Sequence, residues 1–509
     1  MKLAAHFTRP SIIREALLCF TAIFFTFLLT SNGHDNSEEG WYSYMVAKQI
    51  LTAHTIGFDE PQVGVFNRAP NGRYYESYEL GSALFMVPTT WFDEQLWHSL
   101  SPRIGDARAL LVWRFVLASL SAVYCAAGLA LVYVMLRTVF AQKRRLALAN
   151  VLILGFCSYY WNYSRNLADS VLCCVLLCAA TLLLFLFGRT LDAQLLILAS
   201  CFLGLGLITR PTMLIPIAAA FLYLGAVLHR DWKHLLKASA ITTATLLPFV
   251  AWQLWYNHLR TGNALVSALQ AFYKADNGLT GDLASHIPGL LISPGKGILV
   301  YAPPVFLALF CFPVFFKRYR AEALYAGAIG LGWLLLHAKL ANNWYGAWGW
   351  GPRHFIAVTP VLALPFLVSG FRVFSSKLKM VFAGLCLLFG FVLAMSATIG
   401  DWLYRIGFAF TEGRADRFVW SLTENQAVDM IVSSGRNVAR LFTDIPFDIV
   451  PAASAMNQHA SNTVNVWLVT AYHQGVPAVA VLPVAFLLLA LAGGSFWLLL
   501  RPDRQDAIT

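Results

Sequence analysis

Residues 169–187 read DSVLCCVLLCAATLLLFLF, and after Asp169 this stretch contains no charged side chain. An α-helix rises about 1.5 Å per residue, so a helix of this length nearly crosses the roughly 30 Å hydrocarbon layer of a bilayer. A single segment can cross that layer only as a helix, because lipid offers no partner for unpaired backbone groups. The stretch therefore predicts a transmembrane helix.

Similar apolar runs recur along the whole chain of 509 residues. Hydrophobic residues make up 58% of the sequence and charged residues only 12%, whereas a soluble domain carries about 25% charged residues. This composition excludes a soluble enzyme, a nucleic-acid-binding protein and a disordered chain. We predict an all-α polytopic membrane protein with about 12 transmembrane helices and short interfacial helices in its outer loops. The apolar runs are 12–30, 109–136, 146–160, 169–187, 193–208, 212–228, 235–255, 298–316, 322–338, 355–371, 378–399 and 477–500.

The basic residues indicate how the bundle is oriented. About half of the 37 basic residues, but fewer than a quarter of the 26 acidic ones, fall at the ends of spans that would share one face. The positive-inside tendency assigns that face, and with it both termini, to the cytoplasm. We expect a multi-pass protein of the bacterial inner (plasma) membrane, whose formal charge of +11 reflects insertion rather than binding to nucleic acid.

Three long connections lie on the opposite, periplasmic face, at 31–108, 256–297 and 400–475. Loops of this length are usually functional, so we expect the active site on that face. We divide the chain into a catalytic transmembrane unit (1–399, including loop 31–108), a periplasmic region without an assignable motif (400–475), and a final helix with a cytoplasmic tail (476–509).

The first of these loops opens with an acidic cluster. Ser37 has the side chain of a helix N-cap, and Asp35, Glu38 and Glu39 surround it. A helix that starts here would hold three carboxylates just above the membrane. The alternative is a solvated helix start whose acidic residues only complement the helix dipole.

Four isolated cations stand at span ends on the same face. A single cation in such a position needs no role beyond anchoring a helix in the headgroup region. The four cations are Arg165, Arg210, Lys296 and Arg353. Together they indicate a site for an anion at the membrane surface, such as a lipid phosphate. Asp169 lies four residues after Arg165 and would share its face on a helix, either as part of this site or as a structural ion pair.

In their order along residues 12–370, these motifs resemble those of GT-C fold glycosyltransferases. This polytopic class takes sugar from a polyprenyl-phosphate donor and includes protein O-mannosyltransferases, the lipid A aminoarabinose transferase and arabinofuranosyltransferases. Two positions depart from the family pattern: Glu38 stands where many relatives have Asp, and Ser77 stands where the family usually has Lys. The motifs are 38–42 (EEGWY), 163–169 (YSRNLAD), 207–211 (LITRP), 293–297 (SPGKG) and 348–353 (WGWGPR).

The resemblance implies inverting transfer of a single sugar, a hexose or a pentose, to an acceptor hydroxyl. The acceptor must lose a proton and the leaving phosphate gains charge, which calls for a carboxylate base and fixed cations. The base is Glu38 or, as second choice, Asp35, and Asp169 orients the acceptor or a metal. Donor phosphate is assigned to Arg165, Arg210, Lys296 and Arg353; candidate acceptor or sugar contacts are Glu39, Tyr42, Tyr345 and His354.

The expected partners are a polyprenyl-phosphate-linked sugar, a protein, lipid or glycan acceptor, and membrane lipids. The sequence contains no clear constellation of metal ligands, so a divalent cation stays open. Two other functions remain as alternatives: a transporter or flippase of lipid-linked sugars, and a ligase or polymerase of the O-antigen type. A transporter would favour charged residues at the bilayer midplane and internal repeats, and neither is evident here.

Overall fold

A computed structural model describes most of the chain as a helical bundle. The residues it describes are 10–33, 37–62, 64, 66–268, 271, 278–341, 343–346, 349–400, 402, 419–441, 449–451, 459–461, 464–473 and 475–501. The helices in these residues are α1 (Pro10–Leu29), α2 (Glu38–Ala53), α3 (Leu80–Ile104), α4 (Asp106–Thr138), α5 (Arg144–Phe156), α6 (Tyr160–Tyr163), α7 (Asp169–Thr190), α8 (Ala193–Thr209), α9 (Leu214–Leu228), α10 (Trp232–Thr261), α11 (Leu283–Ile292), α12 (Ile298–Tyr301), α13 (Pro303–Arg318), α14 (Arg320–Ala338), α15 (Thr359–Val373), α16 (Lys377–Ile399), α17 (Gln426–Arg440), α18 (Trp467–His473) and α19 (Ala478–Leu500). Two short antiparallel hairpins pair β1 (Phe66–Arg68) with β2 (Tyr74–Glu76) and β3 (Ile449–Pro451) with β4 (His459–Ser461).

Among the described residues, eight helical segments are long and apolar enough to cross a membrane, and they lie in α1, α4, α7, α9, α10, α14, α16 and α19. The predicted class, an all-α polytopic membrane protein, is therefore confirmed. The other four predicted spans are helices of only 13 to 17 residues, α5, α8, α13 and α15. Proline explains one of these boundaries, because α13 begins at Pro303 and Pro304, which lack the N–H that a continuous helix would need.

The first outer loop is more structured than the sequence predicts. It contains α2, the β1–β2 hairpin and α3, and α3, with 25 residues, is longer than the short helices expected in this loop. Helix α3 is not evident from the sequence because Pro88 and Pro102 lie inside it and its polar residues interrupt the apolar pattern. Gly105, with a φ of 82°, separates α3 from α4.

A buried polar cluster fixes one face of the bundle. Glu15 in α1 accepts hydrogen bonds from the Tyr133 hydroxyl at 2.6 Å and from Nε of Arg137 at 3.0 Å. Arg144, at the start of α5, donates to the backbone carbonyl of Leu498 in α19 at 2.7 Å and lies 4.0 Å from Glu15. The start of α1 and the ends of α4 and α19 thus share a face, which is the arrangement that an even number of spans produces.

The opposite face carries the predicted site. Helix α7 has 22 residues and is therefore about 33 Å long. At one end its Arg189 pairs with Glu322 of α14 at 2.7 Å, and at the other end Asp169 meets the end of α8. We call the end that carries Asp169 the site face.

Replacing Glu15 tests whether its cluster holds the bundle together. Glu15→Ala leaves the Tyr133 hydroxyl and the Arg137 guanidinium without their carboxylate partner, which should destabilise the fold by about 1–3 kcal/mol. The expected result is a lower melting temperature of the detergent-purified protein. The exposed neighbour Arg14 supplies the control, since Arg14→Gln should melt like the wild type; equal melting of all three proteins would contradict a stabilising role.

Candidate active site

The first pair of charged groups on the site face is Asp169 with Arg210. Asp169 is the first residue of α7, and Arg210 follows the last residue of α8 with an extended backbone. Arg210 Nη1 lies 3.0 Å from Oδ1 of Asp169. Gly81 of α3 packs against Thr209 so closely that a Cβ at Gly81 would overlap it. The contact holds the start of α3 against the residue that precedes Arg210.

The second pair is Glu39 with Arg353. The Ser37 side chain accepts a hydrogen bond from the Gly40 N–H at 3.2 Å, which confirms the predicted helix cap and positions the first turn of α2. Oε1 of Glu39 lies 3.4 Å from Nη1 of Arg353.

Two glycines explain how the Arg353 side chain is held. A Cβ at Gly346 would come within 2.8 Å of the Arg353 side chain, and one at Gly349 would overlap it. Gly346 also has a φ of +79°, which L side chains rarely adopt. The glycine-rich loop before Arg353 is thus a close backbone support for this one arginine.

The two pairs form a single cluster. Glu39 lies close enough to Asp169 and to Arg210 to interact electrostatically with both. Burial by itself would lower the pKa of Arg210, but the carboxylates of Asp169 and Glu39 outweigh it and raise that pKa above its ordinary value. The pKa of Arg353 is likewise raised, with burial opposed mainly by Glu39. Both guanidinium groups therefore stay charged.

The side chain of His354 completes the environment of Arg210. Its Nδ1 lies 3.3 Å from Nη2 of Arg210, and its Nε2 lies 2.8 Å from the carbonyl oxygen of Asn343. Since a guanidinium can only donate and a carbonyl can only accept, Nδ1 accepts and Nε2 carries the proton. Burial and the neighbouring His337, Arg353 and Arg210 hold the pKa of His354 well below its usual range. The residue is a neutral orienting partner of Arg210.

Arg165 serves a different purpose from Arg210. It is buried, and its guanidinium donates to the backbone carbonyls of Thr398 and Asn465, to the latter at 2.7 Å. The expectation that Arg165 and Asp169 share one helix face is wrong, because α6 ends at Tyr163 and α7 begins only at Asp169. The intervening turn directs Arg165 towards the end of α16.

Lys296 is also committed to the backbone. It is 1% exposed, and its Nζ donates to the carbonyl of Gly349 at 2.5 Å. Burial, together with the nearby Arg353, holds the pKa of Lys296 well below its usual value. The Tyr345 ring centroid lies 5.9 Å from Nζ, so Tyr345 packs near Lys296. Both residues support the loop that carries Arg353.

The segment that departs from the family pattern at Ser77 is held by a distant cation. Arg260, at the end of α10, donates to the carbonyls of Glu76, Ser77 and Tyr78, to Tyr78 at 2.7 Å. Its Nη2 lies 2.8 Å from Oε2 of Glu79. A cation therefore does reach this segment, but it binds the backbone and Glu79. Sequence reasoning missed it, since no motif links residue 260 to residues 76–79.

Glu76 lies beneath this segment and is fully buried. Neither of its carboxyl oxygens has a hydrogen-bond partner within the described part of the chain. Burial raises the pKa of Glu76 well above its usual value, against the opposing effect of Arg260. Burial therefore favours the neutral, protonated form of Glu76 over its carboxylate.

The structure describes the remaining predicted site residues to different extents. Asp35 lies outside the described residues, and of Glu38 only the backbone is described, as the first residue of α2. Tyr42 is buried beneath the hairpin, with its ring 5.7 Å from Phe66 and 6.2 Å from Tyr78, so it supports the loop. Across the described residues, no three His, Cys, Asp or Glu side chains are grouped so as to hold a metal ion.

Comparison with known proteins gives one family match. Residues 112–255 match the family model described as dolichyl-phosphate-mannose-protein mannosyltransferase. Among curated protein sequences, none matches this chain significantly.

Solved structures with a similar arrangement of helices include ArnT from Cupriavidus metallidurans bound to undecaprenyl phosphate, at 12% identity and a TM-score of 0.48, over 83% of this chain and 74% of that one. Another is the archaeal oligosaccharyltransferase AglB from Archaeoglobus fulgidus in complex with an inhibitory peptide and a dolichol-phosphate, at 13% identity and a TM-score of 0.46, over 82% of this chain and 60% of that one.

The matched segment includes α5, α7 and α8, and so it contains both Asp169 and Arg210. The match supports the glycosyltransferase class that the motifs predict. Over residues 112–255, the resemblance of this chain to glycosyltransferases that use polyprenyl-phosphate donors is confirmed.

Proposed function

We propose that this protein transfers a single sugar from a polyprenyl-phosphate donor to an acceptor hydroxyl on the periplasmic side of a bacterial inner membrane. One observation carries the proposal: Glu39, Asp169, Arg210 and Arg353, from four separate chain segments, meet at one end of the bundle. The family match over residues 112–255 adds support from the sequence.

The chemistry needs one bond to break and one to form. The acceptor oxygen attacks the anomeric carbon of the sugar from the side opposite the phosphate, and the bond from that carbon to the phosphate oxygen breaks. The acceptor proton passes to a carboxylate, for which Glu38 remains our first candidate and Asp35 our second. The leaving polyprenyl phosphate gains negative charge, which fixed guanidinium groups stabilise where it develops.

The four predicted cations divide into two kinds in this mechanism. The Arg353 and Arg210 side chains are 28% and 17% exposed and contact carboxylates. Arg165 and Lys296 are almost fully buried and donate to backbone carbonyls. A phosphate can replace a carboxylate beside Arg353 with little rearrangement, whereas releasing a buried cation from its carbonyls would leave those carbonyls unpaired. We therefore assign the donor phosphate to Arg210 and Arg353.

Removing the Arg353 guanidinium tests this assignment. A hydrogen bond to a charged group contributes about 1.5–3 kcal/mol, so Arg353→Ala should weaken binding of polyprenyl phosphate by roughly 10- to 150-fold. The affinity of the detergent-purified protein for the phospholipid is the measurement.

Arg68 provides the matched control for Arg353. It is an exposed arginine on β1, in the same outer loop as Glu39, and Arg68→Ala should bind donor like the wild type. Equal losses in the two variants would indicate a general effect of charge, and wild-type affinity of Arg353→Ala would exclude Arg353 from the phosphate site.

The base is tested with isosteric amides. Glu38→Gln should lower turnover by about 10²- to 10⁴-fold, the range expected for general base catalysis, with donor affinity retained. Asp35→Asn is the parallel variant, and transfer is measured in membranes supplied with lipid-linked sugar. If both variants transferred sugar at the wild-type rate, neither residue would be the base.

A further inference from the structure

Helix α17 (Gln426–Arg440) has its polar and apolar faces reversed relative to a helix of a soluble protein. Its buried side chains are mostly polar or small: Gln426, Ala427, Met430, Ser433, Ser434 and Asn437. Its exposed face is apolar, since Val428, Ile431, Val432 and Val438 are 37–46% exposed. A surface helix in water normally presents the opposite pattern.

The charged residues of α17 fall along one edge of the apolar face. Asp429, Arg436 and Arg440 lie within about 40° of one another around the helix axis, as the advance of 100° per residue requires. The helix therefore has three strips: a polar strip against the protein, an apolar strip facing outwards and a charged strip between them. Helices that lie in the membrane interface show such a division into an apolar and a charged face.

Helix α17 contacts the end of the membrane-spanning helix α16 that lies on the site face. Ser434 Oγ donates to the carbonyl of Ser396 at 2.6 Å, and Ser396 is in the last turn of the membrane-spanning helix α16. Just before α17, Trp420 and Leu422 are 47% and 78% exposed. Tryptophan is enriched at the depth of the lipid headgroups.

The polar strip of α17 contacts the loop that holds Arg353. Oε1 of Gln426 accepts from the Gly351 N–H at 2.9 Å, and its Nε2 donates to the Gly349 carbonyl at 3.3 Å. The same carbonyl accepts from Lys296. The first residue of α17 is thus bonded to both sides of the Gly349–Gly351 turn.

We propose that α17 lies in the interface of the bilayer on the site face, with its Val428, Ile431, Val432 and Val438 side chains inserted among the lipids. A helix α17 bound in the bilayer interface then supports the side of the Gly349–Gly351 turn that faces the membrane. The proposed position of α17 does not depend on the proposed transferase activity. It follows from the polar, apolar and charged strips of the helix and from the contact of Ser434 with the end of α16.

A lipid surface fits this face better than a protein partner. The face is continuous with the membrane-spanning surface through the contact of Ser434 with α16, so a bilayer around α16 would reach it. The charged strip would face headgroups and water, where Arg436 can approach lipid phosphates. Docking of an acceptor protein is the competing occupant, and the experiment distinguishes the two.

The test measures the depth of spin labels on the full-length protein in liposomes of phosphatidylethanolamine and phosphatidylglycerol. Val432→Cys and Val438→Cys place labels on the apolar face, and Glu424→Cys places one on the exposed turn that precedes the helix. The wild-type protein, treated in the same way, gives the background from its nine native cysteines. Collision with oxygen reports lipid exposure, and collision with a water-soluble nickel chelate reports water exposure.

We expect labels at 432 and 438 to collide with oxygen at least several-fold more than with the nickel chelate, and the label at 424 to show the reverse preference. Nickel accessibility at 432 and 438 equal to that at 424 would overturn the proposal and would leave a protein partner as the occupant of this face. A variant that misfolds is recognised by its melting temperature, and Ile431→Cys then replaces it.

Discussion

The structure of the site depends on the rule that a charge removed from water needs a partner. Asp169 and Arg210 lie at the end of membrane helices, with 12% and 17% of their side chains exposed, and an isolated charge in that position would be costly. Their pairing, extended by Glu39 and Arg353, makes the cluster stable enough to exist before any substrate arrives. The same requirement forces four distant chain segments together, because each contributes one member of the set.

A second group of cations stabilises irregular backbone at the membrane edge. Carbonyl groups without helical partners occur at the end of α16 and at Asn465, in the Gly349–Gly351 turn and in the segment before α3. Arg165, Lys296 and Arg260 donate to such carbonyls. The geometry of these turns therefore rests on buried cations. Sequence position alone cannot distinguish them from Arg210 and Arg353, which pair with carboxylates.

Much of the fold could be predicted from the sequence, because apolar length and charge position act locally. The span centred on 169–187 and the capping of α2 by Ser37 required only their own residues. Glu39, Asp169, Arg210 and Arg353 were also named as candidate site residues, Glu39 from the acidic motif of the first outer loop and the other three as charged side chains at span ends. Two features could not be predicted: α3, whose internal prolines and polar residues hide the helical pattern, and the role of Arg260, which requires knowing that α10 ends beside residues 76–79.

The difference between the two kinds of cation suggests how the site can open. A cation that donates to buried carbonyls stays in place, because its release would leave those carbonyls unpaired. A cation paired with a carboxylate can exchange that carboxylate for another anion. The net charge of the cluster changes only if the displaced carboxylate keeps its negative charge. The Glu39–Arg353 contact, at 3.4 Å, is longer than the Asp169–Arg210 contact at 3.0 Å, and Arg353 is the more exposed arginine. Under the proposed function, we therefore expect the weaker pair to yield first to a lipid phosphate, while Asp169 and His354 hold Arg210 in place.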